Sequence, residues 1–384
     1  MSQQTCFKQN FLQMDNTFEA YIMQYLADKY GERSEELYSL SYILQYLVNK
    51  TKSANRGAKA RGSFANLYAI YVIVEDYLKH NFDKNGSYSQ YEGAQFSVLF
   101  KRQRELPFGA KLQNHALNSR MNDEFFKFFP TLRGVYPIMR NLETQRYWFN
   151  ENYLKVKVGK DTINIAQDII NIIDAYVAVK QDSFKQFIEQ CQQLQTIEDE
   201  EPEAVKSFIL SLLAPNVDAR LFEIVSYAIL KLFYRGQHIY WGYTMEDIRQ
   251  EFLHLYKTGR TNANDGGIDF VMKPLGRFFQ VTETLDFKKY FLDIEKIEKY
   301  PISFVIKTDE SEKALMVKLK SDAVKTYVVE KVVNDYLACI EEVINIPKLK
   351  ACLEKLEGEG KVSDVLKEII LQSKVEFNYD EDED

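Results

Sequence analysis

The apolar residues of this chain change period along its length, and that change limits what it can fold into. Over much of the sequence they recur every three to four positions, as in Phe18, Tyr21, Ile22, Tyr25 and Leu26, then Leu37, Leu40, Ile43, Leu44 and Leu47. That is the spacing of helices with one buried face. Between residues 256 and 283 the period falls to two: a polar, glycine-bearing loop feeds a short strand, a KPLG turn and a second strand. This is the grammar of a β-hairpin. An α+β, predominantly helical fold is therefore expected. At 384 residues with 46% hydrophobic content, the chain has enough material for two domains or one elaborated one.

Along the first half, Gly31 is expected to stop one helix and Ser34 to cap the next. Lys50, Lys52, Arg56, Lys59 and Arg61 follow in a Gly/Ala/Ser-rich stretch without an acid, which reads as a basic loop leading into a helix. Small residues let a backbone approach a polyanion while Lys and Arg supply the charge, so phosphate contact is one reading and a solvated loop the other. Lys101, Arg102, Arg104 and Lys111 form a second cluster with the same two readings. Residues 86–160 suit short strands and loops; a helical period returns at Thr162 and runs to about Leu194. The acidic IEDEEPEA stretch, with Pro202 opening a further helix, suggests a division into residues 1–200 and 201–375, with an acidic tail at 376–384. Helical patterns are expected over Val205 to Leu213, Ala219 to Leu232, and in one long run from about Asp322 to Ile344.

A net charge of −7 argues against binding nucleic acid through the overall field. Ten acids in the two acidic stretches, at 198–203 and 380–384, account for more than that excess, so local positive patches remain possible carriers. Cys6, Cys191, Cys339 and Cys352 lie far apart without CxxC spacing, and the four histidines show no ligand spacing. Neither a zinc centre nor a disulfide framework is expected. The absence of a signal-like start or of about 20 consecutive apolar residues points to a soluble protein of the reducing cytoplasm with no membrane partner. No GxxxxGK[ST] loop occurs, so no NTP is expected.

The hairpin carries the chemistry. In its first strand Ile268, Phe270 and Met272 are expected on one face, which leaves Asp269 as the lone charge among apolar neighbours. A carboxylate there is destabilising unless compensated, by a divalent cation or by an ion pair with Lys273 or Arg277. In the second strand Gln280 and Thr282 share a face, with Phe279 and Val281 left for the core, so Gln280 is expected beside Asp269.

At these residues the chain resembles the PD-(D/E)xK nuclease superfamily, in particular the Mrr-like restriction endonucleases, whose site reads GGxD, a spacer, then QxK. GGID at Gly266 to Asp269, QVT at Gln280 to Thr282 and the helical Phe222-Glu223 pair carry the resemblance, which covers about 90 residues from Leu221 to about Lys307. It implies a restriction-endonuclease-like mixed sheet flanked by helices in the C-terminal half, beside a helical N-terminal DNA-recognition region. It further implies Mg²⁺ held by Asp269 and Gln280, with Glu223 as a third site residue, and cleavage of double-stranded DNA at a specific sequence by a type II homodimer. The family lysine is replaced here by Thr282, and Glu283 or Lys307 is expected to take its role. Lys52, Arg56, Lys59, Arg61, Arg102 and Arg104 are the candidate DNA contacts. The competing readings are a decayed nuclease fold that binds DNA without cutting it, as a defence protein, and a helical interaction scaffold.

Overall fold

The computed structural model describes residues 18–53, 59–84, 88–110, 112–197, 201–215, 217–258, 268–283, 285, 287–327 and 329–377. Arg56, Lys111, Gly266, Gly267, Glu198, Asp199 and Glu200 of the acidic IEDEEPEA stretch and the acidic end of the chain lie outside them, as do the side chains of Lys59 and Arg61. Two compact units are present, Met1–Gln186 and Phe187–Asp384, divided within a single long helix.

The first unit opens with helix α1 over 18–30, followed by α2 (Ser34–Leu40), α3 (Tyr42–Ser53) and α4 (Lys59–Lys79). Gly31 adopts φ +57°, a conformation that ends a helix without a Cβ clash. Ser34 does not cap: a 3₁₀ turn runs directly into α2, leaving Ser34 already helical with no break to satisfy. Ser41 does so instead, its extended backbone letting its Oγ accept the Leu44 N–H at 3.3 Å. The stretch read as a basic loop is largely helical, because α3 runs on to Ser53 and α4 begins at Lys59. Lys50 in that stretch is buried against Glu124, whose other oxygen accepts from Asn66.

Short elements follow as expected, though with more helix: β1 (Ala94–Gln95), α5 (Phe96–Glu105), α6 (Met121–Phe128), β2 (Ile138–Asn141), β3 (Arg146–Phe149), β4 (Lys155–Val158) and β5 (Asp161–Asn164). The strands make a three-stranded β1-β3-β2 sheet and a β4-β5 hairpin. Thr162 therefore lies in a strand rather than a helix, since Asp161–Asn164 pair antiparallel with Lys155–Val158. Asn164 then caps α7 (Ala166–Thr196) by accepting from the Ala166 N–H at 2.9 Å. Tyr46, Tyr68, Tyr77, Phe125 and Phe149 are fully buried in this unit's core. At its edge the buried Asp168 carboxylate accepts from Tyr25, Lys29 and Tyr30.

The second unit continues with α8 (Pro202–Ser211), α9 (Ala219–Tyr234), the hairpin β6 (His238–Trp241) and β7 (Arg249–Phe252), then β8 (His254–Lys257), β9 (Phe270–Lys273) and β10 (Arg277–Thr282). It ends with α10 (Phe287–Lys296), β11 (Ile302–Ile306), α11 (Glu312–Thr326), α12 (Glu330–Ala338), β12 (Ile340–Ile344), α13 (Ile346–Gly358) and α14 (Val362–Phe377). The long helix expected from Asp322 to Ile344 is two helices and a strand. The backbone turns extended at Tyr327 and Val329, and the Ile- and Val-rich run after Cys339 satisfies its backbone groups by pairing with β11.

Five strands form one mixed sheet in the order β12-β11-β10-β9-β8, antiparallel from β8 to β10 and parallel from β10 to β12. All five residues of β11 are buried, the continuous apolar run of a central strand covered on both faces. One face meets α9, where Tyr227 packs on Phe270 at 5.2 Å and Tyr234 on Phe279 at 6.3 Å between ring centroids. The other carries Phe304 stacked on Tyr290 at 4.5 Å, with Ile294, Leu315 and Leu319 around them. Among the described residues no helix is long and apolar enough to cross a membrane.

Candidate active site

Asp269 stands one residue before β9, its backbone already in the sheet: its N–H donates to the Phe279 carbonyl at 3.1 Å and its carbonyl accepts from the Thr258 N–H at 3.0 Å. Its Oδ2 accepts from the Val281 N–H at 2.7 Å, tying the carboxylate to β10. Ile268 belongs to the cluster of Tyr290 and Phe304, whereas Phe270 packs on α9. The two were expected on one face; strict alternation starts only at Phe270, where the strand proper begins. Of the proposed ion-pair partners, Arg277 instead bonds Ser303, Glu341 and Glu342, and Lys273 lies over the Tyr256 ring.

The ladder ends where Phe270 pairs with Phe279, and the Asp269 N–H also reaches the Phe279 carbonyl, so Asp269 is an irregular position at the end of the ladder, with Gln280 the next residue along β10. Gln280 is 8% exposed, and among the described residues its Oε1 has no hydrogen-bond partner. Val281, expected in the core, is only half-buried, while Gln280 and Thr282 are buried. The reason is the face: Gln280 and Thr282 pair with Phe304 and Ile306 of β11, which belong to the buried cluster around Tyr290. A buried amide oxygen without a donor costs about 1–3 kcal/mol, which makes Gln280 the second feature of the site that asks for a partner.

The N-cap Asp218 starts α9 by accepting from the Arg220 N–H at 2.8 Å, and the helix delivers Glu223 to the sheet beside the fully buried Phe222. Glu223 Oε1 is 3.0 Å from Lys257 Nζ at the end of β8. Burial pushes the Asp269 carboxyl up to about 8, and the Glu223 charge adds to that; the Val281 N–H, Lys257 and Lys289 act in the opposite direction. Burial also raises Asp218, with the Glu283 charge contributing.

Glu283 and Lys307 form a pair of their own at the ends of β10 and β11. Lys307 Nζ is 2.6 Å from Glu283 Oε1, also donates to the Val217 carbonyl and lies 5.7 Å from the Phe222 ring centre. Its side chain is 3% exposed. The basic candidates belong to the first unit, and the three whose side chains are described are engaged there. Lys52 pairs with Glu19 at 2.6 Å, Arg102 makes a two-nitrogen contact with Glu75, and Arg104 bonds the Ala110 carbonyl and lies over Phe100.

Lys257 was not singled out from the sequence, yet a signal was there. Leu253, Leu255 and Lys257 are two apart, and the leucines are 5% and 2% exposed, so the inward face of β8 ends on a cation. Among the described residues no three His, Cys, Asp or Glu side chains gather as a metal cluster. The oxygen donors present here are the Asp269 carboxylate, the Gln280 amide and, within electrostatic reach, Glu223. No family model matches the chain, and no curated protein or solved structure does either.

Proposed function

We propose that the second unit is a Mg²⁺-dependent nuclease and the chain a type II restriction endonuclease cleaving double-stranded DNA at a specific sequence. The observation that carries this reading is Asp269: a buried carboxylate, disfavoured by Glu223 and tied to β10 one residue beyond Gln280, whose amide oxygen has no hydrogen-bond partner among the described residues. Two groups that each gain from a cation belong to one hairpin inside a mixed sheet.

The donors fit a hard divalent cation. All are oxygens, and Mg²⁺ is commonly held by one or two carboxylates with water and substrate phosphate filling its other positions. When bound, the ion would polarise the scissile phosphate and lower the pKa of the attacking water. The chain's own contribution is to hold Asp269 by the Val281 N–H and to bring up Glu223 from α9, while the Gln280 amide comes from the Phe304 face of β10. Glu283 and Lys307 satisfy each other and brace the ends of the two strands, a supporting role rather than a chemical one. Two copies, each cutting one strand of a symmetric target, give the double-strand break, and Arg56, Lys59 and Arg61 supply phosphate contacts.

Digestion of methylated and unmethylated genomic DNA with Mg²⁺ or with chelator tests the reading. Discrete fragments that need the metal are expected, and their loss in Asp269→Ala ties them to this site. Thr282 at the family lysine position favours the second reading, a fold that binds DNA without cutting; salt-sensitive DNA retention with no fragments under any condition is its signature.

A further inference from the structure

A lysine lost from one strand can be supplied by another strand of the same sheet. Resting on the nuclease reading above, we infer that Lys257, at the end of β8, takes the place of the lysine missing at Thr282 and positions the attacking water. Three lysines compete for this role. Lys307 is committed: its side chain is 3% exposed and its ammonium bonds both Glu283 and the Val217 carbonyl. Lys289 is exposed on the surface of α10.

Lys257 differs from both. It continues the inward face that Leu253 and Leu255 establish, and its side chain is 21% exposed, half-sheltered yet open to solvent. Glu223 holds its Nζ at 3.0 Å, and the Tyr227 ring centre lies 5.9 Å away, so the ammonium is placed rather than free to swing. Lys257 pairs with Phe270 in the ladder and the next residue, Thr258, bonds the Asp269 carbonyl, so Lys257 and its partner Glu223 stand beside Asp269 and their charges act on its carboxylate. An ammonium has three donors, and the bond to Glu223 uses one, leaving others for a water molecule.

In the reaction, the water oxygen forms a bond to phosphorus while the bond from phosphorus to the leaving sugar oxygen breaks. The water proton passes to solvent, and the leaving oxygen takes a proton from solvent. Lys257 stays protonated throughout, donating a hydrogen bond to the water oxygen and orienting its lone pair; no oxidant or reductant enters.

The test uses the full chain with Lys257→Met and Lys257→Arg. Steady-state cleavage of a DNA fragment in Mg²⁺ is measured beside DNA retention in Ca²⁺ and Mn²⁺ stoichiometry by electron paramagnetic resonance. Lys257→Met is expected to lower kcat by about 100-fold or more, the size of losing one positioned hydrogen-bond donor at a reacting centre, with KM, DNA retention and Mn²⁺ stoichiometry essentially unchanged. Lys257→Arg, which keeps the charge and the pair with Glu223, should recover a substantial part of kcat. Should Lys257→Met unfold, Lys257→Gln replaces it, since it keeps a donor for Glu223 without the charge. Wild-type kcat in the Met or Gln variant overturns the assignment while leaving the nuclease reading intact. Parallel loss of folding, DNA retention and Mn²⁺ binding without rescue by Arg assigns Lys257 a purely structural pair and also overturns it. Absence of any metal-dependent cleavage by the unaltered protein overturns both readings.

Discussion

Replacing Asp269 by Asn should stabilise the metal-free protein, and should do so increasingly as pH rises. The folded-state carboxyl is pushed from 3.8 up to about 8, mainly by burial and then by Glu223. A group whose pKa is raised on folding contributes its full stability below the unfolded value and loses it as pH climbs through the folded one. At about 1.36 kcal/mol per pH unit, the Asp269 charge costs the fold about 4 kcal/mol at neutral pH. Asn keeps an oxygen for the Val281 N–H, but its amide NH₂ lacks an assured acceptor, which returns about 1–3 kcal/mol. The variant should therefore gain on the unaltered protein by about 3 kcal/mol between about pH 5 and pH 8. Urea unfolding in chelator, followed by the fluorescence of Trp241 in a Trp148→Phe background, isolates the second unit, since the chain has only 2 tryptophans. A difference that does not change with pH, or a variant less stable at pH 8, would refute the claim that this carboxylate is strained by its surroundings.

Three further outcomes check the supporting structure. Lys307→Met should cost about 3–5 kcal/mol of unfolding free energy, because it leaves Glu283 and the Val217 carbonyl facing a buried methyl group; calorimetry of the purified variant measures this, and an unchanged melting temperature would contradict the bracing role. Phe279→Ala, emptying a fully buried position between Tyr234 and Arg277, should cost a similar amount, about 3–5 kcal/mol, in urea unfolding. Arg102→Ala should cost no more than about 1 kcal/mol, as expected for a partly exposed pair with Glu75; the slope of DNA affinity against salt should not move, because the guanidinium is already engaged.

The hairpin was legible because its signals are local. A lone Asp in an apolar strand, a KPLG turn and a Gln two positions from a Thr depend on alternation alone, and the Asp269 carboxylate is indeed tied to the second strand, through the Val281 N–H one residue beyond Gln280. Alternation misled at Ile268 and Val281 for the same reason, since each depends on a neighbour that the strand's own sequence does not name. Ile268 lies outside the pleat, and the buried face of β10 at Gln280 and Thr282 is set by Phe304 and Ile306 of β11. Non-local pairing also hid β12, whose Ile and Val residues fit a helical stripe until β11 offers them a ladder. Lys257 was missed because β8 is four residues long and runs directly into a polar loop, so its inward cation reads as part of that loop. Lys307 was visible as a cation ending an apolar strand, but only the fold shows that Val217 and Glu283 already occupy it.

The most direct test of the central claim is a crystal of the full chain with a DNA duplex and Mn²⁺, examined by anomalous scattering. A peak between the Asp269 carboxylate and the Gln280 Oε1, with oxygen distances of about 2.0–2.3 Å, is the expected result. A duplex bound with no peak there, or with the Gln280 amide nitrogen turned toward Asp269, would contradict it.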